Sequence, residues 1–171
     1  MKTKKIRLLA EFIESIDETR FNIKSWSSKY DYEDEYYRPS DVIDLNFCDT
    51  AGCIAGWAIA LENGGRAEFD PGSSPENAMK NCRTGSEILG LTYEQGAKLF
   101  FMDENSVWAN HFELYFDELA QEHKDAFMEN YVFYGNDDPA NIDQFLDCNN
   151  VITNKVAAFM LNKIADGEVT L

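Results

Sequence analysis

Several residue types and patterns are scarce in this chain, and each scarcity removes a class of function. It has two histidines, His111 and His123, and no His-Glu-x-x-His pair, so the commonest zinc-hydrolase pattern is missing. It has four cysteines, at 48, 53, 82 and 148, too few to staple 171 residues into a disulfide scaffold. The Cys48-x4-Cys53 spacing has no second pair to complete a structural zinc site, so no metal is expected. The longest apolar run, Cys53 to Leu61, has nine residues, well short of the roughly 20 that cross a bilayer. No Walker-type or Rossmann-type glycine loop occurs, so no cofactor is expected. The acids at 136–147 lack the glycine and terminal glutamate of an EF-hand loop.

Positive charge is the largest deficit. The net charge is −16, from 31 acids against 15 bases. Residues 1–29 are net +3, residues 30–98 net −8, and residues 99–154 net −11 with Lys124 as their single base. Such a field repels nucleic-acid phosphates and anionic membranes and attracts basic surfaces. Met1-Lys-Thr-Lys-Lys is followed by a stretch containing Glu11 and Glu14 in place of an apolar signal core. The expected setting is therefore the cytoplasm of a bacterial or phage-infected cell, with reduced thiols.

Hydrophobic residues make up 44% of the sequence and aromatics 13%, enough for a core. The chain is expected to be mainly α, a single compact domain over 1–171. Ile6, Leu9, Ile13 and Ile16 fall at helical spacing over 4–17. Residues 27–41 read as an exposed loop, with a short hairpin somewhere in 20–47 as the main strand option. Asp49 or Thr50 is expected to cap a helix through Ala51–Asn63 that stops at Gly64-Gly65. Residues 66–74 read as a loop. Ser74-Pro75 opens a helix to Leu89 that stops at Gly90, and Thr92 with Gln95 forms a capping box for 93–101. Helical spacing continues through 106–121, 123–133 and 140–148, and a last helix runs from Thr153 to Gly167.

The most distinctive segment is Cys48-Asp-Thr-Ala-Gly-Cys-Ile-Ala-Gly-Trp-Ala58. Gly52 and Gly56 are four apart, which places them on one helical face. Each costs about 1 kcal/mol against alanine in a helix, so the expected use is close approach by another backbone. Cys48, Thr50, Gly52, Cys53, Gly56 and Trp57 are read as structural residues of a buried central helix. A cysteine at a helix start can instead be a nucleophile, but it needs a base, and neither histidine carries a partner motif.

This segment, with Phe21-Asn-Ile-Lys-Ser-Trp26 before it and Ile88-Leu-Gly-Leu-Thr-Tyr-Glu-Gln-Gly-Ala-Lys-Leu-Phe100 after it, resembles a loose group of small uncharacterised phage and bacterial proteins. Their expected motif is Cys-Gly-Thr-x-x-Cys-x-x-Gly followed by a Leu-Gly-Leu-Thr turn. The likeness covers about half of the chain, and Asp49 stands where the motif has glycine. It implies a helical fold and a phage or bacterial origin, and no activity.

Ile88 to Gln95 also has the form of a helix-turn-helix, but its second helix offers only Lys98 as a base, which favours a structural helical hairpin. The acids remain. Asp31, Glu33, Asp34 and Glu35 interleave with tyrosines 30, 32, 36 and 37. Glu113, Asp117, Glu118, Glu122, Asp125 and Glu129 recur at helical spacing. The leading expectation is a non-enzymatic protein of phage or mobile-element type that binds a basic protein surface through these ten acids. Mimicry of nucleic acid is one form of that reading. Solubility alone is the plain alternative for the acids. Two other classes are a binder of a nucleotide-like small molecule, using Arg66, Lys80 and Arg83, and a cysteine enzyme.

Overall fold

The computed structural model describes residues 1–23, 25–34, 36–48, 50–69, 74–101, 105–111, 114, 121 and 152–171. Helices dominate, but two small antiparallel sheets make the fold mixed α/β and not purely helical.

Helix α1, Thr3–Ser15, buries Ile6, Leu9, Ala10 and Ile13 along one stripe, as its periodicity requires. It packs chiefly on the last described helix, α6 (Asn154–Asp166), which buries Val156, Ala157, Met160, Leu161 and Ile164. The Thr153 hydroxyl caps α6 by accepting from Val156 N–H, and Gly167 ends it in the left-handed region. The end of α1 is closed from α6. The buried Asn154 side chain donates to the Ile13 and Ile16 carbonyls at 3.3 and 2.9 Å. Its start is tied to the end of α3 (Pro75–Leu89). Lys2 N–H donates to Leu89 C=O at 2.8 Å, and its ammonium donates to the Glu87 and Ile88 carbonyls. A cation at a helix C-terminus also complements the helix dipole.

Strands β1 (Ser28–Asp31) and β2 (Tyr36–Pro39) form a hairpin, and β4 (Thr50–Ala51) pairs on the other side of β1. Strand β3 (Val42–Asp44) pairs instead with β5 (Arg66–Glu68). The exposed loop expected at 27–41 is therefore largely sheet, as is part of the loop expected at 66–74.

Helix α2 is Ile54–Glu62, and its residues 54–60 are all buried. It starts later than expected. Thr50 does not cap it, and Asp49 lies outside the described residues. Thr50 and Ala51 belong to β4, and Gly52 bridges to Phe21. Cys53 is the N-cap. The pairing of β4 with β1 explains the delay, because those backbone groups serve a ladder instead of a first helical turn. Gly52 thus lies outside the helix, yet it shares a neighbour with Gly56. A Cβ built at Gly56 would collide with the Trp26 carbonyl oxygen; one built at Gly52 would meet the same oxygen at 3.1 Å and collide with Ile43. The 25–28 segment lies against both glycines, held there by the Cys53 N–H to Ser25 C=O bond at 2.8 Å.

Helices α3 and α4 (Tyr93–Phe100) form the expected hairpin. Gly90 adopts φ +67°, and the Thr92/Gln95 capping box is complete. They meet closely because Gly96 leaves room for the Ser86 hydroxyl. A short α5, Val107–Asn110, follows, with Trp108 fully buried and donating to Leu99 C=O at 2.9 Å. The helices expected at 123–133 and 140–148, and half of 106–121, fall outside the described residues. No helix among the described residues is long and apolar enough to cross a membrane.

Candidate interaction surface

Asp31 organises the tip of the β1–β2 hairpin. Its Oδ1 accepts from Glu33 N–H at 3.0 Å and Asp34 N–H at 3.4 Å, an Asx-type turn. Its Oδ2 faces Arg38, which crosses from β2 and also reaches Asp34 at 3.5 Å. The Glu33 N–H bond holds the Asp31 carboxyl below its ordinary range; burial opposes this, while Asp34 N–H and Arg38 add to it. The Arg38 guanidinium lies over the Tyr36 ring, 5.2 Å from its centre. Tyr36 and Arg38 are two apart on a strand and share a face.

A second loop abuts the tip. Asp44, buried, accepts from Asn46 N–H and Asn46 Nδ2, both at 2.9 Å, and pairs with Arg66 at 3.1 Å. That turn projects Phe47 into solvent. The Tyr32 hydroxyl donates to the Cys48 carbonyl at 3.3 Å, which ties hairpin tip to turn. Tyr32, Tyr36 and Phe47 are 56%, 46% and 57% exposed, so the hairpin tip and the adjoining turn present large apolar side chains to solvent.

Of the ten acids singled out above, Asp31, Glu33 and Asp34 come together here. Asp31 builds the turn, Asp34 shares Arg38, and Glu33 is exposed. Glu35, Glu113, Asp117, Glu118, Glu122, Asp125 and Glu129 lie outside the described residues. Sequence reasoning passed over Arg38 and Phe47. The i,i+4 spacing of Asp34 and Arg38 and the Tyr-x-Arg alternation were the signals for the first. Phe47, two residues after Leu45 and next to Cys48, carried no signal that it would be exposed.

The alternative sites gather less. Cys53 is 3% exposed, and burial pushes its thiol up to about 11, with the Gly56 and Ala55 N–H groups only partly offsetting this. Almost none of it is thiolate at neutral pH, which argues against a nucleophile. Cys82 is also buried, and Cys48 is exposed. Iodoacetamide should therefore alkylate Cys48 in the native protein and reach Cys53 and Cys82 only on unfolding. Mass spectrometry of the labelled peptides checks this, and rapid native labelling of Cys53 would reopen the thiol chemistry.

The bases Arg66, Lys80 and Arg83 lie on two elements, Arg66 on β5 and the other two on α3. Arg66 pairs with Asp44 and Glu68, Arg83 lies over Tyr93, and Lys80 is exposed on α3. A groove of about 170 Å³ between α1, α2 and α3 is walled by Leu8, Leu9, Ala58, Leu61, Ile88 and Leu89, with the Lys5–Glu62 ion pair at its rim. Its aliphatic lining offers little to a phosphate. Among the described residues, no group of three or more potential metal ligands gathers. Comparison with protein-family models, with curated proteins and with solved structures finds no match to this chain.

Proposed function

We propose that this chain is a non-enzymatic acidic interaction protein, of phage or mobile-element type, that docks on a basic surface of a host protein. A nucleic-acid-handling or defence protein fits best, because its phosphate-binding cleft is the commonest large basic surface, and an acidic protein can occupy it as a nucleic-acid mimic. The observation that supports this reading is the edge formed by the hairpin tip and the 45–48 turn. It combines three exposed aromatic side chains with Glu33 and Asp34 on an ordered turn. Rigid aromatics supply contact area at little entropic cost, and the surrounding acids steer a basic partner. The acids at 113–129 extend the same chemistry along the sequence.

The test is a pull-down from bacterial lysate at low and high salt. Wild type should retain a basic partner that salt releases, since exposed charges are screened within about 10 Å at 0.1 M. Reversing Glu33, Asp34 and Glu35 to lysine, or the acids at 113–129, should abolish retention. Asp31 is best changed to asparagine, which keeps the turn acceptor and removes the charge. Retention that neither salt nor any of these variants alters would sink the reading.

A further inference from the structure

Helix α1 presents an exposed stripe beside the aliphatic groove. Lys4 and Glu11 are exposed and carry no ion pair among the described residues. They are seven apart, two helical turns, so they lie almost in line. Leu8 stands between them, 53% exposed, and is a wall of the groove it shares with Leu61 and Ile88. The neighbouring bases are engaged: Lys5 with Glu62, Arg7 with Asp166, and Lys2 with the end of α3. The open stripe therefore reads base, leucine, acid. A nucleic acid or an anionic membrane would meet Glu11 and Glu14 on the same helix as Lys4, and a basic partner would meet Lys4. A charge order that changes sign about its middle is matched by its own reverse.

We infer that a second copy of this chain covers the stripe, with the two α1 helices antiparallel about a two-fold axis beside Leu8. Along the helix, Lys4 lies about 6 Å before Leu8 and Glu11 about 4.5 Å after it. The axis therefore sets Lys4 of each copy opposite Glu11 of the other, so the pair forms twice. It also brings the two Leu8 side chains together on the side where the two grooves open, which takes exposed leucine and groove wall out of water. One 13-residue helix and a groove make a contact at the small end of the range for stable complexes, and each copy carries a net charge of −16. The dimer is accordingly weak, with a Kd of about 100 μM. It uses none of the hairpin-tip residues and does not rest on the basic partner proposed above.

The experiment is sedimentation equilibrium of the full chain at one salt concentration, with protein from about 10 μM to 1 mM, a range that brackets this affinity. Wild type should pass from monomer to dimer across it. Leu8→Asp should stay monomeric. Lys4→Glu and Glu11→Lys should each weaken the dimer about fivefold or more, because each sets like charges face to face in both symmetric contacts. The double variant Lys4→Glu/Glu11→Lys should recover wild-type association. So should an equimolar mixture of the two single variants, whose copies again oppose unlike charges at both contacts. Bulk charge cannot imitate this pattern. Lys4→Glu makes an acidic chain more acidic and Glu11→Lys makes it less so, so general repulsion would move the two in opposite directions. Both positions face solvent, and circular dichroism of each variant checks that α1 still forms. Wild type that stays monomeric throughout would overturn the proposal and leave the groove to a different protein. A dimer that none of these substitutions moves, or one that Glu11→Lys tightens, would overturn it as well.

Discussion

Gly56→Ala is expected to lower the melting temperature by roughly 4–8 °C, although alanine is the better helix former. Two effects oppose each other. Replacing a glycine in the first turn of a helix with alanine gains at most about 1 kcal/mol of propensity. Against it, the new Cβ lands on the Trp26 carbonyl oxygen, with the Trp26 carbonyl carbon at 3.1 Å and Ile43 Cδ1 at 2.9 Å. None of these has room to move. Ile43 is fully buried. The 25–28 segment is tied by Cys53 N–H to Ser25 C=O at 2.8 Å, by the Ser25 hydroxyl to Ser27 C=O at 2.7 Å, and by Ser40 N–H to Ser27 C=O at 3.4 Å. Relief therefore means pushing this backbone off the start of α2 and loosening the Cys53 bond. Overpacking of this kind costs about 3 kcal/mol, leaving a net loss of about 2 kcal/mol. At this chain length each kcal/mol moves the midpoint by roughly 2–4 °C. Gly64→Ala is the contrasting control. It meets nothing within 4 Å, and its cost of about 1 kcal/mol comes only from its φ of +78°. Thermal melts of the two variants beside wild type separate the mechanisms. A Gly56→Ala protein as stable as wild type would show that the close approach carries no packing constraint.

That glycine pair also shows how far the sequence reached. The four-residue spacing pointed to a close backbone approach, and the Trp26 carbonyl lies against both glycines. The spacing could not say that Gly52 precedes the helix. That depends on β4 pairing with β1, a contact between residues about 20 apart that leaves no local periodicity. The helix ends that were legible are those with local chemistry. Ser74-Pro75, the Thr92/Gln95 box, Thr153, Gly90 and Gly167 all sit where their short-range signals placed them. The sheets were mostly missed for the opposite reason. Their strands are two to four residues long, too short for alternation to register, and β3 pairs with β5 across the whole of α2. On the candidate surface, composition found the acids but not their division of labour. Asp31 is spent on its turn and on Arg38, a fact fixed by the register that sets Asp31 opposite Tyr36 and Lys29 opposite Arg38.

Asn154→Asp should give a protein whose deficit grows as pH rises. Asn154 is 4% exposed, and its amide nitrogen donates to two carbonyls, Ile13 and Ile16, that end α1. Aspartate has the same shape and reverses that chemistry, aiming a carboxylate oxygen at two acceptors. Its place in the first turn of α6 helps by at most about 1 kcal/mol through the helix dipole. Burial against two carbonyl oxygens outweighs this, so the folded-state pKa should rise above the ordinary carboxylate range. The sign follows from proton binding. Between the unfolded and folded pKa values the native state holds the extra proton, so stability falls with rising pH across that window and levels off above it. Below the window the protonated acid still donates one bond, to Ile16 or Ile13, and the variant should trail wild type by only about 1 kcal/mol. Above it the deficit should be larger by about 1.4 kcal/mol for each tenfold change in proton affinity. The native carboxylates run the other way: the Asn46 N–H bond to Asp44 depresses that group, which stabilises the fold above the usual carboxylate range and ceases to do so as acid protonates it. The measurement is therefore the difference between variant and wild-type urea midpoints across pH 3–7, in which those shared groups cancel. A difference that stays flat would mean that Asn154 does not close the end of α1 through its amide. A difference that opens as pH rises would identify the α1–α6 junction as the place where one buried amide holds the two helices together.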